Sequence, residues 1–122
     1  MAGASRPLVA CLCADWCGSC REYRATFDAL AAQFEGAADF AWVDVEDDAD
    51  ALGDPDIENF PTLLIADAGG PRFFGTVTPH AQAAERLIRS ALAGELAVTA
   101  DRALAARVRT LVAGRGEAAN DA

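Results

Sequence analysis

A mixed α/β fold follows from three features of this 122-residue sequence: short apolar runs bounded by turn residues, a helical repeat set between two of them, and a Gly-Gly-Pro turn between the last two. The first run, Pro7 to Cys13 (Pro-Leu-Val-Ala-Cys-Leu-Cys), has the length and unbroken apolarity of a buried strand. From Cys17 to about Phe34, apolar residues Tyr23, Phe27, Leu30, Ala31 and Phe34 recur at helical spacing, and Gly36 stops the helix. Phe40 to Val45 reads as a second strand, rich in aromatic and β-branched residues. Pro61 to Ala66 is a third, turned by Ala68-Gly69-Gly70-Pro71 into a hairpin partner over Arg72 to Val77.

Thr78-Pro79 then supplies an N-cap and a first-turn proline for a helix with Leu87, Ile88, Ala91 and Leu92 on its apolar face, ending at Gly94. A last helix is expected from about Thr99 to Val112, with Leu104, Val108 and Leu111 facing inward. The polar tail 114–122 is expected to fray. Strand–helix–strand at the start is a βαβ unit, and the later hairpin extends the same sheet. The reading is one domain over 1–122, with a core about 7–93 and the extra helix about 99–113.

A formal charge of −9 argues against nucleic acid, whose phosphates need a basic face, and against docking on an anionic membrane. All ten basic residues are arginines. The start of the chain lacks the basic, long-apolar pattern of a signal peptide, and no run approaches the ~18 apolar residues of a membrane span. A cytoplasmic location is expected. Thiols stay reduced there, so four cysteines within ten residues (Cys11, Cys13, Cys17 and Cys20) point to redox or metal chemistry rather than a structural staple.

Cys17-Gly18-Ser19-Cys20 falls where a strand hands over to a helix. A helix N-terminus presents unpaired N–H groups and the positive end of the macrodipole, so a thiolate at Cys17 is stabilised there. Cys17 reads as the exposed nucleophile and Cys20, one turn further in, as the resolving thiol. The Cys-x-Cys-x3-Cys-x2-Cys spacing leaves tetrahedral zinc as an alternative, but a strand that must pair with its neighbours disfavours it, and no metal or organic cofactor is expected.

Ala14-Asp15-Trp16-Cys17-Gly18-Ser19-Cys20-Arg21 resembles the active-site segment of the thioredoxin family. Asn59-Phe60-Pro61-Thr62-Leu63-Leu64 resembles that family's second signature, and Gly75 the glycine of its final strand. The resemblance covers about residues 7 to 93. It implies a thioredoxin-like fold, a mixed sheet of about four strands flanked by helices, here with an extra C-terminal helix and without the usual N-terminal strand and helix. It implies thiol–disulfide exchange with protein substrates through Cys17 and Cys20, a cis Pro61, and a substrate-contact set of Trp16, Gly18, Ser19, Phe60, Pro61 and Thr62. Electrons would come from a thiol reductase or a small thiol, and the protein would be a monomer or a weak homodimer. A non-enzymatic binding module or redox sensor is the alternative.

The departures are specific. Ser19 stands where the family usually has proline, which leaves the redox poise open. Cys11 stands at the position of the family's buried aspartate, and Trp42 at that of the aspartate's lysine partner. Cys11 and Cys13 share a strand face by alternation, which makes Cys11 a candidate third redox thiol against Cys20 and otherwise a small buried hydrophobe. Nine acids and no base lie between Asp39 and Glu58. They lack the spacing of a calcium loop, and beside the cysteines they would steer toward basic partners.

Overall fold

All six residues of the first strand, β1 (Leu8–Cys13), are buried, as an unbroken apolar run requires. The computed structural model describes residues 6–14, 17–53, 61–78, 80–99 and 101–115. β1 pairs in parallel with β2 (Asp39–Asp44) and antiparallel with β3 (Thr62–Asp67). β3 pairs antiparallel with β4 (Gly70–Thr76), so the mixed sheet runs in the order β2-β1-β3-β4.

Alternation along β1 divides the core. Val9, Cys11 and Cys13 face α1 (Gly18–Gln33) and α3 (Ala81–Leu92), where Tyr23, Phe27, Leu30 and Ile88 pack. Leu8, Ala10 and Leu12 face the other way, onto Leu52 of the short α2 (Ala49–Leu52) and onto α4 (Arg102–Arg115). Helices thus cover both faces. The buried positions of α1, Cys20, Tyr23, Phe27 and Leu30, follow the i, i+3, i+4 rule, and Gly36 takes the left-handed conformation (φ 86°) just beyond its end. Phe27 meets Phe40 edge to face at 5.4 Å and Trp42 at 5.7 Å, which docks β2 on the helix.

Two helix starts differ from expectation. The cap of α3 is His80, not Thr78, because the chain stays extended through Val77. The Val77 N–H donates to the Pro61 carbonyl at 3.1 Å, and its side chain is buried, which delays the helical turn. Pro79 lies outside the described residues. α4 begins at Arg102 rather than near Thr99, whose N–H is tied to the Pro71 carbonyl at 2.8 Å.

Across α4 the fully buried contacts are Ala105, Val108 and Val112, with Leu104 and Leu111 half-buried at the margins. Polar contacts accompany them. The β3–β4 ladder is irregular at Ile65/Ala66, and Pro71, opposite Ala66, has no N–H to offer. Arg109 Nη2 donates to the Ala66 carbonyl at 2.9 Å, and Arg102 Nη1 to that of Gly69 at 3.4 Å. Among the described residues no helix is long and apolar enough to cross a membrane.

Val108 is 0% exposed, so Val108→Ala should lower unfolding free energy by about 2 kcal/mol. Ala106→Ser, on the exposed side of α4, should stay within about 0.5 kcal/mol of the parent. Urea titration followed by circular dichroism reads both. Equal midpoints for the two variants would remove α4 from the core.

Candidate active site

The end of β1 and the start of α1 are joined by a tight connection. The Cys17 N–H donates to the Ala14 carbonyl at 3.0 Å, and the Cys17 carbonyl accepts from Arg21 N–H at 3.2 Å, closing the first helical bond. Cys17 is therefore the N-cap, in an extended conformation (φ −86°, ψ 119°). No acidic residue lies in the first turn of α1 to offset the positive helix end. Cys17 is half-buried and free, Gly18 and Ser19 are exposed, and Cys20 is buried. A Cβ built at Gly18 would meet only Arg21 Nη2, at 3.9 Å, so the glycine leaves that surface open rather than relieving a clash.

Pro61 and Thr62, both buried, open β3 at the same end of the sheet, with Thr62 opposite Leu12, the neighbour of Cys13. Trp16 and Phe60, expected to rim the contact surface, lie outside the described residues, as does Asp15. Gly75 is in β4, opposite Leu63.

The four cysteines converge, in an order that corrects one expectation. Cys20 is bonded to Cys13, with their Cα atoms 5.8 Å apart. Cys11 is free and fully buried, its Sγ 3.7 Å from that of Cys13. The thiol against Cys20 is thus Cys13, not Cys11. The reason lies in strand geometry: two residues advance about 6.7 Å along a strand, so Cys13, at the very end of β1, meets the first turn of α1, while Cys11 lies a full step behind. Cys17 packs against the same buried cluster. Alternation read from the sequence put both cysteines on the correct face. It carries no information on which of them the helix crosses, although the helix start four to five residues beyond Cys13 is a usable signal.

Among the described residues, no charged side chain is buried in the core around Cys11. Cys11 faces Trp42 in the β1–β2 register. Trp42 carries the Arg24 guanidinium 4.7 Å above its ring. Burial pushes the Cys11 thiol up to about 12, a rise that the positive charge of Arg24 partly offsets. Tyr23 is also pushed up to about 12, first by burial and then by the proximity of Cys11. Among the described residues, its hydroxyl is buried without a hydrogen-bond partner, a cost that the sequence does not reveal.

Because β2 runs parallel to β1, its acidic end lies beside the cysteines. Asp44 is level with Cys13, and the Val45 N–H donates to the Cys13 carbonyl at 2.8 Å. Asp44 Oδ1 accepts from the N–H groups of Glu46 and Asp47 at 2.8 and 2.9 Å, which folds the acidic turn tightly at this edge. Asp54, Asp56 and Glu58 lie outside the described residues, and Asp39 pairs with Arg6 at the far end of β2. Among the described residues, no group of three or more His, Cys, Asp or Glu side chains is arranged to hold a metal ion.

The raised values of Cys11 and Tyr23 set a pH dependence. Both groups keep their protons in the folded state at pH values where the unfolded chain has released them. Stability is therefore full below about pH 9 and is lost as pH rises toward about 12. Tyr23→Phe should flatten the upper part of that fall and raise stability at neutral pH by about 1 kcal/mol, since it deletes an unsatisfied hydroxyl. Urea midpoints across pH 7 to 12 measure both effects. A destabilised Tyr23→Phe variant would show that the hydroxyl has a partner.

A family profile described as thioredoxin matches residues 2–90. Thioredoxin of Staphylococcus aureus is 33% identical over 58 residues, 48% of this chain. The chain spans 56% of the length of that curated relative. Among solved structures, a germline-specific thioredoxin of Drosophila melanogaster superposes with a TM-score of 0.64 at 18% identity, covering 73% of this chain and 84% of that one. Thioredoxin of Fasciola hepatica gives 0.63 at 24% identity, with 72% and 83% covered. These likenesses show a thioredoxin-like fold. With the profile reaching across most of the chain and over the strand–cysteine–helix junction, the protein belongs to the thioredoxin family.

Proposed function

We propose that the protein is a thiol–disulfide oxidoreductase acting on disulfides of protein substrates. The observation that carries this reading is Cys17: a free, half-exposed thiol at the N-cap of α1, one helical turn before Cys20. The Cys17 thiolate attacks one sulfur of a substrate disulfide, and the other sulfur leaves as a thiolate that takes a proton. Cys20 then attacks the Cys17 sulfur, releasing the second substrate thiol and closing a Cys17–Cys20 bond. Two electrons have passed from the protein to the substrate. They are restored by a thiol reductase or a small thiol, and no bound cofactor takes part.

Substrate contact falls to the exposed Gly18 and Ser19 and to the backbone of Pro61 and Thr62 at the head of β3, and the family resemblance adds Trp16 and Phe60 to that set. Pro61 in the cis form would bring the Phe60 backbone alongside an extended substrate segment, as in strand addition. The acidic turn after β2, at the same edge, favours substrates that carry basic residues near the disulfide. α4 covers the second sheet face, which supports a monomeric working unit, and the cytoplasm is the compartment in which such a dithiol stays reduced.

Reduction of insulin by dithiothreitol, followed by turbidity, tests this reading. The wild type should accelerate precipitation, and Cys17→Ser should fall to the rate of dithiothreitol alone. Cys20→Ser should accumulate a mixed disulfide on Cys17, visible as a shifted band on a non-reducing gel. A Cys17→Ser variant as fast as wild type would sink the assignment.

A further inference from the structure

Cys13 has no part in the exchange just described, yet it is the residue bonded to Cys20. The four sulfurs form a series from surface to core. Cys17 is half-exposed, Cys20 and Cys13 are each 1% exposed, and Cys11 is sealed. Cys17 packs on the cluster that contains the other three. Cys20 thus has one candidate partner on each side, Cys17 toward solvent and Cys13 at the end of β1.

We propose that Cys13 is a third exchanging thiol, which takes the disulfide from the surface pair into the core and returns Cys17 to the free state. The proposal rests on the oxidoreductase reading, since the Cys17–Cys20 bond is its starting point. Cys13, as thiolate, attacks Sγ of Cys20. The Cys13–Cys20 bond forms as the Cys17–Cys20 bond breaks, and the electron pair leaves on Cys17, which gains the proton that Cys13 has lost. One disulfide exists before the step and one after it, so no oxidant is consumed. The sulfur of Cys11, 3.7 Å from that of Cys13, can donate its S–H to the Cys13 thiolate and so lower the cost of ionising it inside the core.

The transfer changes what the surface can do. A Cys17–Cys20 bond closes the site, whereas a Cys13–Cys20 bond leaves Cys17 as a lone thiol with its resolving partner occupied. In that form Cys17 can attack a disulfide and hold one half as a mixed disulfide that Cys20 does not release. With glutathione disulfide as the oxidant, Cys17 takes one glutathionyl group and the other glutathione leaves as a thiolate. Reduction of the inner bond returns by the same route, because Cys13 and Cys20 are closed to external thiols.

Peptide mapping tests the transfer. The fully reduced protein is treated with glutathione disulfide, quenched in acid at intervals, alkylated and cut before aspartate. Cleavage before Asp15 and Asp28 separates Met1–Ala14, holding Cys11 and Cys13, from Asp15–Phe27, holding Cys17 and Cys20. A bond within Asp15–Phe27 should appear first and then give way to a cross-link between the fragments, with Cys17 alkylated or glutathionylated. The cross-link should persist in Cys11→Ala, where Cys13 is the sole thiol of its fragment. It should vanish in Cys13→Ala together with the glutathionylated Cys17.

The Cys11→Ala map decides the matter even where Cys13→Ala does not fold. A wild type that reduces insulin but holds only the Cys17–Cys20 bond to equilibrium would overturn the transfer and leave the oxidoreductase reading intact. Failure to reduce insulin in the same preparation would instead strike the reading on which the transfer rests.

Discussion

Burial of β1 on both faces is the constraint from which the rest of the molecule follows. A strand with no solvent-facing side must have helices above and below, and its neighbours must supply hydrogen bonds on both edges. Such a strand ends abruptly, because the chain must leave the core at once. The site is built in that exit: the last strand residue is Cys13, and four residues later Cys17 caps α1. The positive helix end, the half-exposed sulfur and the inner cysteines therefore occupy one place because a single strand delivers them there.

The apolar runs and helical spacings were legible as β1, α1, β2, the β3–β4 hairpin and two later helices, since burial of a face imposes a period on the sequence. The helix starts at 78–80 and 99–102 were less so. Each is set by a backbone hydrogen bond to a remote segment, Val77 to Pro61 and Thr99 to Pro71, which local capping chemistry does not record. The same division holds at the site. Cys17 and Cys20 were readable from their spacing and their place at a strand–helix junction. The identity of the cysteine beneath Cys20 depends on where α1 crosses β1, a tertiary distance that alternation along the strand does not carry.

The interior is close to free of charge. Among the described residues Thr62 and the Tyr23 hydroxyl are buried polar groups and no charged residue is buried, and Cys11 and Trp42 stand where the resemblance leads one to expect an ion pair. A thiol and an indole at these paired positions remove the need to desolvate a carboxylate and an ammonium.

The two arginine contacts of α4 have a consequence that aliphatic packing alone would not supply. Contact between Val108, Val112 and the sheet is non-directional, and a helix lying on such a surface can slide or rotate at little cost. Arg102 on the Gly69 carbonyl and Arg109 on that of Ala66, about two turns apart on α4, act as two directional contacts. They set the helix's axial position and its rotation, so the outer layer has a single seating on the sheet rather than a family of near-equivalent ones.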